Sequence, residues 1–331
     1  MKKTSGLRID PQLSISLSLF AVLGVVIAFF NKAVGTEWGS FVLVLNNTFM
    51  NIFVFGIVLV WLDKKQRRRR LTKTYLEQLE DFRFWRSEEG VWRKVGIMRR
   101  LKEFEEPLPS LKGMELEHAI LEDFDLRGQI LDHANLCKAF LWKAKLTRTS
   151  LERAVLERTY LEQAHMEGAN LTKVYAGMAD FREANISQAK LVCANLELAL
   201  FIQTEARQSD FEGANLAGAQ FDGADLSGSL FHRANLMGAD FNGAIIADCD
   251  FRGAELSGAK NLTIDQLKGA LIDESTHLPD TMTTYRDTLL ESLAKRDLAP
   301  VASNFQGQVP AYRAKPDMED FARCRGRLDM Y

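Results

Sequence analysis

This chain is poor in the groups that chemistry usually requires. Its 331 residues include four cysteines, at 137, 193, 249 and 324, and no two form a paired motif. No disulfide or zinc framework can be read from such spacing, and unpaired cysteines fit a reducing cytoplasm. The five histidines, at 118, 133, 165, 232 and 277, are scattered, and none stands beside a second ligand at metal spacing. They read as solvent-facing positions. There is no glycine loop of the kind that cradles phosphate and no recognisable catalytic motif. The expectation is a protein that is not an enzyme and holds no cofactor or metal. The two common apolar periods are also missing from most of the chain: neither the helical 3-4-7 spacing nor strict alternation is sustained.

What replaces them is a five-residue beat. From Leu116 to Leu256, 29 consecutive fifth positions follow one frame, nearly all of them large and apolar. The clearest stretch reads Ala214-Asn215-Leu216, Ala219-Gln220-Phe221, Ala224-Asp225-Leu226, Ser229-Leu230-Phe231, Ala234-Asn235-Leu236, Ala239-Asp240-Phe241. Two residues before each large one stands a small one, usually Ala, elsewhere Thr149, Thr159, Thr204, Ser209, Ser229 or Cys249. Between them Asn or Asp is favoured, as at Asn135, Asn170, Asn185, Asn195, Asn215, Asp225, Asn235, Asp240 and Asp250. Short polar side chains of that kind bond nearby backbone and support turns. Gly recurs two places after the large residue, at corners needing unusual backbone angles. One large and one small inward residue in five predict short extended pieces joined by turns, stacked so that each unit buries its face against its neighbours.

The pattern resembles the pentapeptide-repeat family, whose consensus is A-(D/N)-L-x-x, over residues 111–275. The resemblance implies a mainly β fold: a right-handed quadrilateral parallel β-helix with four pentapeptides per coil. Twenty-nine units then give about seven coils and a rod roughly 35 Å long at the strand spacing. Phe181, Phe201, Phe221 and Phe241 recur every twenty residues, and Phe211, Phe231 and Phe251 do so on the offset set. With a twenty-residue coil they form two ladders on opposite faces; a ten-residue coil also explains most of them. The frame has two faults, Ala176 and Ala206, where large residues belong. Val174 offers a volume swap at the first. Only Thr204 stands near the second, so either drift in a tolerant scaffold or a small groove is expected.

Two uncharged apolar runs precede the repeats, residues 13–30 and 41–62. At 1.5 Å per residue they span roughly 27 and 33 Å, close to the hydrocarbon thickness of a bilayer. The link of ten residues between them allows only a tight turn, so residues 1–62 read as a transmembrane helical hairpin. A cleavable signal is the rival for the first run, but the run lacks a small-x-small site. Lys64, Lys65, Arg67, Arg68, Arg69, Arg70 and Lys73 follow the second run, which by the positive-inside rule places both termini and the repeats in the cytoplasm. Lys64, Lys65 and Arg67 to Arg70 are also candidate contacts for anionic lipid headgroups of the bilayer. Asn46, Asn47 and Asn51 lie within the second run. They are expected to form a polar seam between helices or protomers, or to line a small pore.

Residues 63–110 read as basic juxtamembrane helices, with fourteen basic and nine acidic side chains between 63 and 106. Ser87 is a candidate cap for a helix opening with Glu88 and Glu89 and packing Val91, Val95, Met98 and Leu101. Such helices would cover the first coil, whose open edge invites aggregation. Thr263-Ile264-Asp265-Gln266 has the form of a capping box near the other end. Residues 276–331 read as a further helix and a loosely ordered tail.

Three functions follow in order of preference. The first is a membrane-anchored scaffold at the bacterial inner membrane that offers a rigid surface to an unidentified protein partner. The second is a small oligomeric membrane channel or stress effector, with the β-helix as assembly domain and homo-oligomerisation implied. The third is a DNA-mimicking topoisomerase modulator of the kind the family includes. Residues 111–275 carry 25 acidic and 16 basic side chains, a moderate charge for mimicry of a phosphate backbone. A membrane tether also keeps the repeats from chromosome-bound enzymes, so no nucleic-acid partner is expected.

Overall fold

The computed structural model describes the backbone of residues 39–297, and side chains within 51–291 except Ile52. The first apolar run and the tail from residue 298 lie outside these, and the first ten residues of the second run are described in backbone only. The chain divides into two compact units, Met1–Lys73 and Thr74–Tyr331. This division falls inside the 63–110 segment, because helix α1 (Gly39–Asp81) passes unbroken through the end of the second apolar run. In the first unit Val54, Phe55, Val58, Leu59, Val60, Trp61 and Leu62 are all exposed on α1. Among the described residues no helix is long and apolar enough to cross a membrane.

In the second unit the five-residue beat becomes a stack of coils. Parallel bridges join Glu115 to Asn135, Ile120 to Phe140, Asp125 to Lys145 and Ile130 to Ser150, and so on in steps of twenty residues up to Asp240 and Lys260. Each coil therefore holds four pentapeptides. The bridges stay isolated, one residue on each side of the coil. Counting from the large residue, each unit turns through its second and third positions. Residue three has φ between 53° and 69° at every unit from Gly113 to Gly258. A positive φ at only the third of four turn residues is the type II turn, closed here by bonds such as Ala119 N–H to Leu116 O (3.0 Å).

The hydrogen bonds account for the composition. Leu116, His118 and Asn135 represent the first, third and fifth positions, and they donate to Asn135 O, Cys137 O and Met114 O of adjacent coils. The fourth donates within the turn. The second N–H has no ladder partner, and the preceding Asn or Asp takes it: Cys137 to Asn135 Oδ1 (3.1 Å), Arg182 to Asp180 Oδ1 (3.1 Å), Ser187 to Asn185 Oδ1 (3.0 Å). The Asn/Asp preference is thus the satisfaction of one orphan donor per turn. Proline, which has no N–H to give, is absent between Pro109 and Pro279.

Inside, the two phenylalanine ladders stack. Phe181, Phe201, Phe221 and Phe241 lie 4.9–5.3 Å apart, and Phe211, Phe231 and Phe251 lie 4.8–5.0 Å apart. The ladders meet edge to face at 6.1–6.3 Å, so opposite sides touch across the interior. Ala206 sits between Phe201 and Phe211, which meet at 6.1 Å, yet Leu226 and Ile246 stand between phenylalanine pairs that meet in the same way, so the ring contact does not set the size of this slot. Hydroxyls in the small slot stay bonded: Thr149, Thr159, Thr204, Ser209 and Ser229 each donate to a carbonyl 23 residues earlier. Burial of such a group without a partner would cost about 1–3 kcal/mol.

Both ends are covered. Helix α2 (Glu88–Glu103) begins at Ser87, whose Oγ accepts from Gly90 N–H, and buries Val91, Val95, Ile97, Met98 and Leu101. Arg83 donates to Ser110 O and Lys112 O, Arg99 donates to Ile120 O, and Arg83 O accepts from Glu115 N–H. Guanidinium groups thus take carbonyls of the first coil that have no earlier coil to pair with. Lys94 is fully buried and donates to Trp85 O at 2.8 Å. At the other end the register loosens to 21 and then 22 residues, Asp250 to Leu271 and Glu255 to His277. The added residues accommodate α3 (Ile264–Lys268), which carries the Thr263–Gln266 capping box. Gln266 Nε2 then donates to Ala244 O (2.8 Å) on the exposed rim. A 3-10 turn (Asp280–Tyr285) and α4 (Arg286–Asp297) follow.

Two outcomes test this packing. Phe221→Ala removes a ring held on three sides and should lower the unfolding free energy by about 3–5 kcal/mol in denaturant titration, whereas Phe221→Leu should cost much less. Burial pushes the Lys94 ammonium down from 10.5 to about 8, against a smaller upward pull from Glu115. Between those pH values the unfolded chain holds a proton that the folded one has released, so stability rises with pH across the window. Relative to Lys94→Met, the wild type should gain about 3 kcal/mol from pH 8 to 10.5.

Candidate functional site

The ladder uses the backbone and the interior, which leaves the outward side chains to make contacts. Four bridged columns, starting at Glu115, Ile120, Asp125 and Ile130, define four faces. On the first, Asn195, Asn215 and Asn235 form a hydrogen-bonded line, Asn215 Nδ2 donating to Asn195 Oδ1 (3.2 Å) and Asn235 Nδ2 to Asn215 Oδ1 (2.9 Å). The second is apolar at its start. Ile120, Phe140 and Tyr160 are 44–50% exposed, and the Phe140 and Tyr160 rings stack at 4.9 Å. Trp142 lies beside them under Lys143 Nζ, 4.1 Å from its centroid. Along the same column Arg182 pairs with Asp180 (2.6 Å) and reaches Glu162 (3.6 Å).

The turns between these two faces carry a shallow groove of about 490 Å3, lined by Cys137, Lys138, Glu157, Arg158, Met178 and Leu198 around Gly177. Gly177 directly follows Ala176, so the first fault of the frame has a surface counterpart. A second groove, about 670 Å3, runs along the outer side of α2 past Phe82, Trp92 and Arg93.

The electrostatics are those of a solvated lattice. Asp125 is held near 2, chiefly by its hydrogen bonds from Arg127 (2.7 and 3.0 Å). Burial pushes the Cys137 thiol up, and pushes the Cys249 thiol up to about 12. Cys249 Sγ lies 3.0 Å from Leu226 O, in the slot that Ala takes elsewhere. His118, His133, His165 and His277 are exposed and His232 is half-buried. Among the described residues no group of three or more His, Cys, Asp or Glu is placed to hold a metal ion.

Of the residues singled out in the sequence, Lys64, Lys65, Arg67, Arg68, Arg69 and Arg70 are exposed along α1. Asn51 is exposed on the same helix, and the side chains of Asn46 and Asn47 lie outside the described residues. The sequence reading missed the aromatic face. Its signal was available: Ile120, Phe140 and Tyr160 stand twenty apart at a position that Asn, Asp and other polar residues take in most units.

The family model "Pentapeptide repeats (8 copies)" matches residues 139–173, 149–188, 179–216, 194–233 and 234–263. Residues 139–263 are therefore pentapeptide repeats. None of the curated proteins matches the chain. Among solved structures, HetL, a pentapeptide repeat protein involved in heterocyst differentiation regulation from the cyanobacterium Nostoc, is 26% identical, with 56% of this chain and 92% of that one covered and a TM-score of 0.24. QnrB1, a plasmid-mediated fluoroquinolone resistance protein, is 20% identical over 55% and 91%, with a TM-score of 0.31. A pentapeptide repeat protein from the Arabidopsis thaliana thylakoid lumen is 23% identical over 54% and 89%, with a TM-score of 0.19.

The burial of the thiols gives a direct check. With Ellman's reagent at pH 8, Cys249 should stay unmodified until the stack unfolds, and Cys137 should react more slowly than a free thiol. Immediate modification of Cys249 in folded protein would show that the small slot is open.

Proposed function

We propose that this pentapeptide-repeat chain is a non-enzymatic scaffold, anchored in a bacterial inner membrane by residues 1–62, that presents its coils to a protein partner at the cytoplasmic face. The stack is read as right-handed, the hand that the family resemblance implies. The observation that carries the scaffold reading is the unbroken twenty-residue register from Glu115 to Lys260. It fixes outward side chains in straight columns at about 4.8 Å spacing, a rigid surface that binds without ordering cost. The anchor reading is supported by the uncharged run 41–62, by the exposed apolar residues of α1 between Val54 and Leu62, and by the basic run that follows. A helix apolar on all sides is suited to lipid or to a partner helix. Lys64, Lys65 and Arg67 to Arg70 then face the headgroups, each contributing about 1 kcal/mol near an anionic surface.

The channel alternative uses the same anchor and assigns pore-lining roles to Asn46, Asn47 and Asn51. Reconstituted protein that passes no ions eliminates it. The anchor itself is tested by single cysteines introduced into the link 31–40 and into the tail, in a background without the native four. A membrane-impermeant maleimide on intact cells should label the link and spare the tail. Labelling of the tail alone would invert the topology, and recovery of the protein in the soluble fraction without detergent would remove the anchor.

A further inference from the structure

Six of the eleven large apolar side chains exposed on residues 111–260 belong to one face and its borders: Ile120, Phe140, Trp142, Tyr160, Met178 and Leu198. Of the other five, Ile130, Tyr175, Leu230 and Ile245 lie on the other three faces, and Met237 lies in the preceding turn two coils beyond Leu198. A concentration of this kind marks an interface. We propose that this face binds the same face of a second copy, the two stacks side by side and parallel, related by a two-fold axis along the stack.

The argument is the charge pattern of the borders. The turn that precedes the face places His118, Lys138, Arg158 and Leu198 on one border, in successive coils apart from the Met178 coil. The turn that follows places Glu122, Trp142, Glu162 and Ile202 on the other, at the same heights. A two-fold axis along the stack sets each border against the opposite border of the second copy at equal height. Arg158 then meets Glu162, His118 meets Glu122, Lys138 meets the Trp142 ring and Leu198 meets Ile202. Phe140 and Tyr160, on the axis, meet their own counterparts. Two pairs are neutral to the scheme: Met178 meets Arg182, which arrives already bonded to Asp180 at 2.6 Å, and Lys138 meets a Trp142 ring that Lys143 Nζ already covers at 4.1 Å.

The antiparallel alternative sets each border against itself, so Lys138 and Arg158 face one another and the acidic border does likewise. Like charges across an interface reject that arrangement. A self-complementary patch is what a closed dimer requires. The pairing involves only residues of the stack and does not rest on the membrane anchor.

The test uses the full chain in detergent, with the four native cysteines replaced by alanine. Tyr160→Cys places a thiol on the axis, and Lys190→Cys places one on the opposite face, in the column of Ile130. Under a copper–phenanthroline oxidant, Tyr160→Cys should cross-link at least about tenfold faster than Lys190→Cys. Adding Arg158→Glu should slow Tyr160→Cys cross-linking about tenfold, and adding Glu162→Arg to that variant should restore it. Arg158, Tyr160 and Lys190 are exposed and Glu162 is half-buried at the surface, and matching thermal melts establish that the variants fold. Equal cross-linking at both positions, or a rate indifferent to Arg158→Glu, would overturn the proposal. A strictly monomeric mass by light scattering at tens of micromolar would do so as well.

Discussion

The whole second unit depends on one backbone requirement: the third residue of every turn must sit at positive φ. Thirty turns in succession meet it, and at nineteen of them the residue is not glycine. Arg153, Lys138, Gln163 and their equivalents accept a conformation that costs an L-residue on the order of 1 kcal/mol or more. What makes this tolerable is repetition. Each turn directs two N–H groups toward the next coil and one toward the previous coil, and each large side chain lies on its equivalent twenty residues away. The strain is local while the compensation is shared between neighbours, the nearest-neighbour logic of stacked repeats.

That logic makes the ends and the faults the places where special residues appear. A coil with no predecessor leaves carbonyls unpaired, and Arg83 and Arg99 from the preceding segment cover some of them. The C-terminal end lengthens its register to admit α3, and Gln266 reaches carbonyls that a further coil would otherwise have used. In the interior, the alanine at 206 is fully buried like its larger equivalents, and the register passes through it unbroken. The outer faces are under no such demand. There the lattice becomes a display surface, with an asparagine line on one side and an aromatic patch on the next.

Much of this was legible in the residues. The beat named the large and small positions, and the Asn/Asp preference pointed to a bonded turn before any bond was seen. Ser87 and Thr263 announced their helices because capping is local and short-range. The twenty-residue coil was half legible: the phenylalanine spacing allowed twenty or ten, and only the bridges from Glu115 onward choose. The aromatic face was harder to see because Ile120, Phe140 and Tyr160 are far apart in the chain and become neighbours only through the register. The roles of Arg83 and Lys94 were not legible at all, since a basic residue in a basic segment gives no sign that it will be turned inward onto carbonyl groups.

The register is the central claim, and changing the chain length within the stack measures it most directly. Duplicating residues 191–210 adds one full coil and returns every column and both phenylalanine ladders to alignment. Duplicating residues 206–210 adds one unit and rotates everything after it by a quarter turn, which sets phenylalanines against leucines and shifts the C-terminal cover to a different side. The account predicts that the twenty-residue duplication unfolds cooperatively with stability equal to or above that of the parent. It predicts that the five-residue duplication loses several kcal/mol. Equal stability of the two, or a more stable five-residue duplication, would contradict it.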